Sequence, residues 1–216
     1  MPLLTDTRIR NARPDDHPAA TAVLIDAFGD GAVAAWAQPD AVTRSAQLRG
    51  YFTVLLAHAA TDGLIRVAHT TGVVTGVAVW YPRPAPVGAV DVYDLAPADG
   101  LDAEAGAAGD RLTALEQALK ARHPAAPHQY LAYLAVTPHQ QNRGIGTALL
   151  TDHHRLLDRA GTPAYLEAND PRNRALYTRH GYTDLGPPVT IDGAPPVWPM
   201  WRHPHPAVPA SAPAQR

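Results

Sequence analysis

One segment, residues 133–150, constrains the fold most, because it passes from a strand pattern to a helix pattern across a short loop with two glycines. It reads YLAVTPHQQNRGIGTALL. The apolar run up to Val136 is typical of a buried strand, and the residues from Gly144 onward have an amphipathic helix pattern. The first turn of a helix has unpaired N–H groups and the positive end of the helix dipole. The segment therefore predicts a site for phosphate groups at the start of a helix.

The two glycines of this loop, Gly144 and Gly146, would let a ligand approach the backbone closely. A Gly-x-Gly pair can also serve only a tight turn and close helix packing, so the pair by itself leaves both interpretations open. Two nucleotide-binding motifs are excluded. No Gly-Lys-Ser/Thr follows, which rules out a Walker loop, and the Rossmann fingerprint fails because its third glycine and its downstream acidic residue are missing.

The loop from Gln141 to Gly146 resembles motif A of the GNAT family of N-acetyltransferases, whose pattern is Arg/Gln-x-x-Gly-x-Gly/Ala. The resemblance implies an α/β fold whose central mixed, mostly antiparallel sheet has six to seven strands, a splay between strands 4 and 5, and flanking helices. It also implies acetyl-CoA as cosubstrate, with the loop amides on the pyrophosphate and the preceding strand along the pantetheine arm. The residues that it assigns to the cofactor are Leu134, Ala135, Val136, Gln141, Asn142, Arg143, Gly144, Ile145, Gly146, Thr147 and Asn173.

A second match lies in residues 166–182, LEANDPRNRALYTRHGY, which are similar to the strand, helix and Tyr-x-x-x-Gly-Phe/Tyr ending of the family. It implies that Asn173 contacts the CoA arm, that Tyr177 protonates the departing thiolate, and that Glu167 is the general base for the amine. Simpler roles stay open for all three. Asn173 can be a helix-start hydrogen bonder, Tyr177 a core aromatic, and Glu167 the ion-pair partner of a neighbouring arginine.

Strand and helix patterns along the rest of the chain also predict an α/β protein. The predicted strands are 7–13, 64–69, 73–80, 129–136, 164–168, 182–185 and 197–201, and the predicted helices are 14–28, 42–60, 110–122, 144–160 and 172–180. We predict one GNAT domain over residues 1–202, because 216 residues fit a single compact core. Residues 203–216 are rich in proline and alanine and are predicted to be a disordered tail.

The composition narrows the choice of partners. A net charge of −2 provides no basic field, so nucleic acid is not expected. The chain has no cysteine, which excludes disulfides and a thiol nucleophile and fits a reducing compartment. No histidine and carboxylate spacing typical of a metal site occurs, and no apolar stretch has the length of a membrane span. We therefore expect no metal and no membrane, and a cytoplasmic protein.

Further stretches, among them VAVWYP at 77–82 and VWPMW at 197–201, resemble the puromycin N-acetyltransferase group of the family. That resemblance implies a small-molecule amine as acceptor, such as an aminonucleoside antibiotic, with resistance or self-protection as the biological role. Segment 82–109 is then either a lid or a disordered insert. The residues expected to contact the substrate are Trp36, Tyr51, Trp80, Tyr81, Asp91 and Tyr93.

Two other functions stay open. The protein can be an acetyltransferase for protein N-termini or lysines, which would need an open groove for a peptide, or an acyl-CoA-binding sensor without turnover. Turnover with a panel of amines separates these possibilities. We expect a monomer or a homodimer.

Overall fold

The computed structural model describes residues 7–84 and 106–205. Seven strands form one sheet in the order β1-β2-β3-β4-β5-β7-β6. Neighbouring strands are antiparallel except β4 and β5, which are parallel, so the mixed and mostly antiparallel sheet predicted above is confirmed. The strands are β1 Thr7–Asn11, β2 Leu64–Thr70, β3 Val73–Arg83, β4 His128–Val136, β5 Ala164–Ala168, β6 Thr183–Asp184 and β7 Trp198–Arg202.

Helices cover both faces of the sheet. They are α1 His17–Phe28, α2 Ala32–Ala37, α3 Ala41–Asp62, α4 Gly106–Lys120, α5 Ile145–Ala160 and α6 Pro171–Arg179. Apolar residues of α1 and α3 pack with the sheet into one core, and apolar residues of α5 pack into a second core that also includes Tyr177 of α6. The second helix, α2, was not predicted, since six residues are too few to display a helical period.

The sheet opens between β4 and β5. These strands pair only at Gln129↔Ala164 and Tyr130↔Tyr165. Beyond Tyr130, β4 continues to Val136 and stays paired with β3, but its other edge has no strand partner among the described residues. The predicted splay between the fourth and fifth strands is therefore present, and it leaves a stretch of β4 backbone available for hydrogen bonds.

A β-bulge in β4 changes which side chains face each side of the sheet. Val79 pairs with Tyr133 and Trp80 with Leu131, so Ala132 lies opposite no residue of β3. An extra residue of this kind shifts the alternation of side chains by one position. Tyr133 consequently joins Tyr130 in the core beneath α1 and α3, although regular alternation would place residues three positions apart on opposite faces.

The other predicted elements are present, with bounds that differ from the predicted ones by a few residues. Among the described residues, no helix is both long and apolar enough to cross a membrane. The predicted lid or insert falls largely on residues 85–105, and most of the predicted tail on residues 206–216, so both lie outside the part of the chain that the structure describes.

Candidate active site

The loop before α5 has the backbone conformation that an anion site needs. Gly144 is the N-cap residue of α5 and has φ +83°, and Asn142 also has a positive φ, +61°. Gly144 is suited to this left-handed conformation because it lacks a Cβ atom. The next residues, Ile145 to Thr147, begin the helix, so their N–H groups have no partner within it. The first turn of α5 can therefore hold phosphate oxygens through backbone N–H groups.

Contacts to neighbouring elements hold this loop in place. The Gln141 amide donates to the Val136 carbonyl at 3.2 Å, and the side chain of Arg172 donates to Asn142. Arg143 is exposed, and the Ile145 side chain is buried. A Cβ atom on Gly146 would lie 3.7 Å from its nearest neighbour, which is ordinary contact, so this position is not filled by the protein itself. The loop fits a pyrophosphate group that is bound mainly by backbone.

The residues expected along the CoA arm lie on β4 and in the first turns of α5 and α6. Leu134 and Val136 pack against the α5 core, while Ala135 belongs to the opposite core. Thr147 shares a 3.3 Å hydrogen bond with His180. Asn173 is exposed in the first turn of α6, and the helix is capped by the Asp170 carboxylate rather than by the Asn173 side chain. Its side chain is therefore not used as the cap.

Tyr177 lies on α6 and is largely buried, with its ring 5.9 Å from the ring of Tyr182. Its hydroxyl makes no hydrogen bond with a described residue. Burial holds the pKa of the Tyr177 phenol well above its ordinary value, so the group stays protonated at neutral pH. A buried, protonated phenol suits a proton donor, whereas packing alone also explains its position.

Glu167 lies on β5 beside the opening of the sheet. Its side chain is 7% exposed, and Oε2 accepts a 2.7 Å hydrogen bond from the Tyr130 hydroxyl. The His123 Nδ1 atom is 3.7 Å from Oε1. The arginines considered as partners have other contacts: Arg172 bonds to the Asn142 side chain, and Arg174 pairs with Asp184. Glu167 therefore belongs to an aromatic and histidine cluster with Tyr130 and His123.

A cavity of about 250 Å³ extends from Glu167 between the sheet and the helices α2, α3 and α4. Most of its wall is apolar, and its polar groups are few and placed on different elements. The apolar wall includes Phe28, Leu48, Phe52, Leu112, Leu115 and Leu119. The polar side chains are those of Gln38, Arg44, Gln47, Tyr51, Glu116, Tyr130, Tyr133, Glu167 and Asn169. Small-molecule sites commonly combine an apolar wall with a few polar groups in this way.

Two tyrosines and a second carboxylate, Glu116, also line this cavity. The hydroxyls of Tyr51 and Tyr133 are 2.6 Å apart and hydrogen-bonded. Burial raises the pKa of Tyr51 to about 12 and holds the pKa of Tyr133 well above its ordinary value, so both are neutral. Burial also raises the pKa of Glu116 to about 7. An ammonium group next to Glu116 would offset that desolvation and favour its charged form.

The sequence patterns did not single out Glu116, Tyr130 or Tyr133. A signal for Glu116 was available, because it interrupts the apolar stripe of Leu112, Leu115 and Leu119 at a position that should face the core. The two tyrosines of β4 had no such signal, since simple alternation assigns them to opposite faces of the sheet.

The predicted substrate contacts separate into three groups. Tyr51 lines the cavity. Trp36 is half-buried on α2 but does not line the cavity, while Trp80 and Tyr81 are buried, Trp80 against His153 and Tyr81 against His58. Asp91 and Tyr93 lie outside the described residues. Within residues 7–84 and 106–205, no group of three or more histidine or carboxylate side chains could hold a metal ion.

Comparisons with known proteins bear on the domain and the fold. The sequence model of the acetyltransferase (GNAT) domain matches residues 106–184. A solved structure described as histone acetyltransferase HPA2 and related acetyltransferase from Corynebacterium glutamicum is 27% identical, with a TM-score of 0.67, over 94% of this chain and 100% of that chain.

Two further solved structures share the fold at lower identity. The ribosomal-protein-S18-alanine N-acetyltransferase from Escherichia coli is 16% identical, with a TM-score of 0.54, over 97% of this chain and 99% of that chain. A GNAT family acetyltransferase from Brucella melitensis in complex with acetyl-CoA is 18% identical, with a TM-score of 0.51, over 94% of this chain and 91% of that chain. The chain therefore has the GNAT fold and contains an acetyltransferase domain.

Proposed function

We propose that this GNAT acetyltransferase uses acetyl-CoA to acetylate the primary amine of a small molecule with a compact apolar body. The observation that carries the proposal is the cavity beside the opening of the sheet, which joins an apolar wall to the carboxylate of Glu167. An apolar body would fill the cavity, and the amine would face Glu167. A peptide main chain would bring polar groups for which this wall offers few partners.

In this proposal, acetyl-CoA supplies the acetyl group and is bound by the loop from Gln141 to Thr147 and by the open edge of β4. Backbone N–H groups of the first turn of α5 bind the pyrophosphate, and the strand near Val136 offers an amide to the oxyanion. Asn173, exposed near the same loop, contacts the CoA arm. Backbone recognition of this kind depends little on side chains, which agrees with the exposed Arg143 and the buried Ile145.

Two side chains carry the proton transfers. Glu167 accepts a proton from the ammonium group of the acceptor, and the hydrogen bond from Tyr130 fixes its carboxylate during this step. Tyr177 donates a proton to the departing thiolate, and burial keeps its phenol protonated until the thiolate forms. The free amine then attacks the thioester carbonyl, and the C–S bond breaks as the thiolate takes the Tyr177 proton. The second proton lost by the attacking nitrogen returns to Tyr177, so one proton in total is released.

The acceptor class is tested by measuring CoA release with a set of amines. All of them have an amine group, but they differ in the rest of the molecule. Puromycin and 2-phenylethylamine present apolar rings, glucosamine presents a polar ring, and a short peptide presents an N-terminal alanine and a lysine. Burying about 100 Å² of apolar surface contributes about 2.5 kcal/mol, so the apolar amines should have kcat/KM values about 50-fold above that of glucosamine. A preference for the peptide would favour a protein acceptor, and acetyl-CoA binding without turnover of any amine would favour a sensor.

Glu116→Gln is a matched variant for the same assay, because it removes a charge and keeps the shape. The pKa of Glu116 is raised to about 7, so the carboxylate is mostly neutral at pH 6 and mostly charged at pH 8. We expect the KM for the amine to rise in the variant at pH 8 but hardly at pH 6, while the KM for acetyl-CoA stays constant. Equal amine KM values for both proteins at pH 8 would remove Glu116 from the acceptor site.

The finer biological role remains a proposal as well. The resemblance of residues 77–82 and 197–201 to puromycin N-acetyltransferases supports an aminonucleoside acceptor and a role in antibiotic resistance or self-protection. The absence of cysteine supports a cytoplasmic location. Growth of cells that express the protein, with and without puromycin, tests the first point directly.

A further inference from the structure

Two histidines form a hydrogen-bonded row that leads away from Glu167. His123 follows the end of α4, and His128 begins β4. The His128 Nδ1 atom is 2.7 Å from the carbonyl oxygen of Ala126, and its Nε2 atom is 3.1 Å from Nε2 of His123. On its other side, His123 presents Nδ1 to Oε1 of Glu167 at 3.7 Å. The row is therefore Glu167, His123, His128 and a backbone carbonyl.

The carbonyl at the end of the row fixes the protons of both rings. A carbonyl oxygen only accepts, so His128 must carry its proton on Nδ1. Burial lowers the pKa of His128 to about 4, so this ring is neutral at pH 7 and its Nε2 atom is an acceptor. His123 must then donate from Nε2. The remaining nitrogen of His123, Nδ1, faces Glu167 and has a lone pair whenever the ring is neutral.

Packing keeps the His123 ring in this orientation. Its centroid lies 5.1 Å from the ring of Tyr130, 4.7 Å from that of Tyr165 and 5.0 Å from that of His128. Tyr130 itself donates to the second oxygen of Glu167, so one cluster positions both the carboxylate and the imidazole. The His123 side chain is 14% exposed, twice the fraction for Glu167. His123 is thus the member of the pair with the better path to water.

We propose that His123 is the proton acceptor for Glu167 and that His128 holds it in the required tautomer. The proposal rests on the proposed function and deepens it. The N–H bond of the acceptor ammonium breaks and the proton binds to a Glu167 oxygen. It then moves to the lone pair of His123 Nδ1, which gives an imidazolium ion and restores the carboxylate. The imidazolium returns a proton to solvent, which accounts for the one proton that acetylation of an ammonium group releases.

The distance of 3.7 Å between Nδ1 and Oε1 is longer than a hydrogen bond, but catalytic contacts commonly shorten when substrate binds. Charged and titratable groups approach the row from every element packed against it. Arg83 lies at the end of β3, with its guanidinium 5.7 Å from the Tyr130 ring centroid. The charge of Arg83 lowers the pKa of His128, and the charge of Glu167 raises it. Arg122 precedes His123, and its charge lowers the pKa of Tyr165. These groups are Arg83, Arg122, His128, Tyr130, Tyr165 and Glu167.

The kinetic test uses His123→Gln, because glutamine can still donate a hydrogen bond to His128 but cannot take up a proton. With 2-phenylethylamine as acceptor, we expect kcat to fall about 10- to 100-fold while both KM values stay within about twofold. His203→Gln, a change at an exposed histidine, is the matched control and should keep wild-type kinetics.

A second variant separates proton transfer from a purely structural role. His123→Ala leaves space for a small base, so added imidazole should restore part of the lost kcat. Unchanged kcat in His123→Gln at every pH would overturn the proposal. A loss of kcat with no rescue by imidazole and a lower Tm in both variants would also overturn it, because His123 would then act only through packing.

A third measurement does not depend on turnover. In the ¹⁵N-labelled wild-type protein without substrate, side-chain NMR should show His128 protonated on Nδ1 only and His123 protonated on Nε2. A neutral His123 with its proton on Nδ1 would overturn the row even if the enzyme is active. Failure to acetylate any amine, with the expected tautomers present, would instead count against the proposed acceptor.

Discussion

Replacing His153 with phenylalanine should make the free energy of unfolding less sensitive to acid. His153 lies on the buried side of α5, with its ring 4.2 Å from the ring of Trp80, and neither of its nitrogens has a hydrogen-bond partner among the described residues. Burial, with a smaller contribution from Arg66, lowers its pKa from 6.5 to about 4. The folded protein therefore holds this ring in its neutral form, and protonation favours the unfolded chain.

The size of the effect follows from these two pKa values. The contribution of the neutral His153 ring to the free energy of unfolding is fully present above pH 6.5. It is lost as the pH falls from 6.5 towards 4, because the unfolded chain binds the proton more tightly. At pH 5 nearly every unfolded chain carries the proton on His153, but only about a tenth of the folded molecules do. This difference should cost the wild type about 2 kcal/mol at pH 5 relative to pH 7, and about 3 kcal/mol well below pH 4.

The assay is urea unfolding of the wild type and His153→Phe at pH 7 and at pH 5. Other titrating groups, including His128, His154 and Glu116, are common to both proteins, so the difference between the two pH effects isolates His153. We expect the free energy of unfolding of the variant to lose about 2 kcal/mol less than that of the wild type. His203→Gln should behave as the wild type does. An equal loss in the wild type and His153→Phe would refute the buried neutral ring.

Three further predictions concern the cofactor site and the packing of α5. Tyr177→Phe should lower kcat about 100-fold with little change in the Kd for acetyl-CoA, and wild-type kcat across the pH range would remove it as the acid. Gly146→Trp should abolish acetyl-CoA binding in calorimetry, whereas Gly146→Ala, whose Cβ has room, should fold and serve as its control. Asp158→Asn should lower the free energy of unfolding by about 3 kcal/mol, because Arg202 is buried and pairs with Asp158 at 2.7 Å. Asp192→Asn, at an exposed position, should change it by less than about 0.5 kcal/mol, and an equal loss in both would contradict the role of the pair.

The parts of the fold that the sequence predicted are those with a clear period or a glycine signal. The strand from His128 to Val136 and the helix from Ile145 to Ala160 lie on either side of a loop. The glycines there indicate in the sequence where the strand pattern ends and the helix pattern begins. Residues 164–168 were predicted with the bounds that the structure has. Each of these elements is determined by its own residues, so local patterns suffice.

The features that were missed depend on distant contacts or on irregular backbone. The bulge at Ala132 arises from the pairing of β4 with β3, and it alone turns Tyr133 towards the cavity. Strand alternation in one sequence cannot reveal such a shift. Trp80 was expected to contact substrate because aromatic residues often do, but the partner that buries it, His153, is more than 70 positions away in the chain.

The histidines near Glu167 show the same limit for function. In the sequence, His123 precedes a proline and marks the end of a helix, which is a sufficient reason for its presence. Its second role becomes visible only when β4 and β5 bring His128 and Glu167 to either side of it. Chemistry that is divided among three elements in this way has no spacing that a motif could capture.

The opening between β4 and β5 also bears on how the protein avoids aggregation. Unpaired backbone at the margin of a sheet attracts strands from other chains. Here the unpaired stretch of β4 lies within the sheet, because β5, β7 and β6 continue beyond the gap. Because β5 and its neighbours lie across the gap, this stretch of β4 is not an open margin at which a foreign sheet could extend this one. The protein can thus keep a reactive strand edge exposed to its cosubstrate without offering that edge to its own copies.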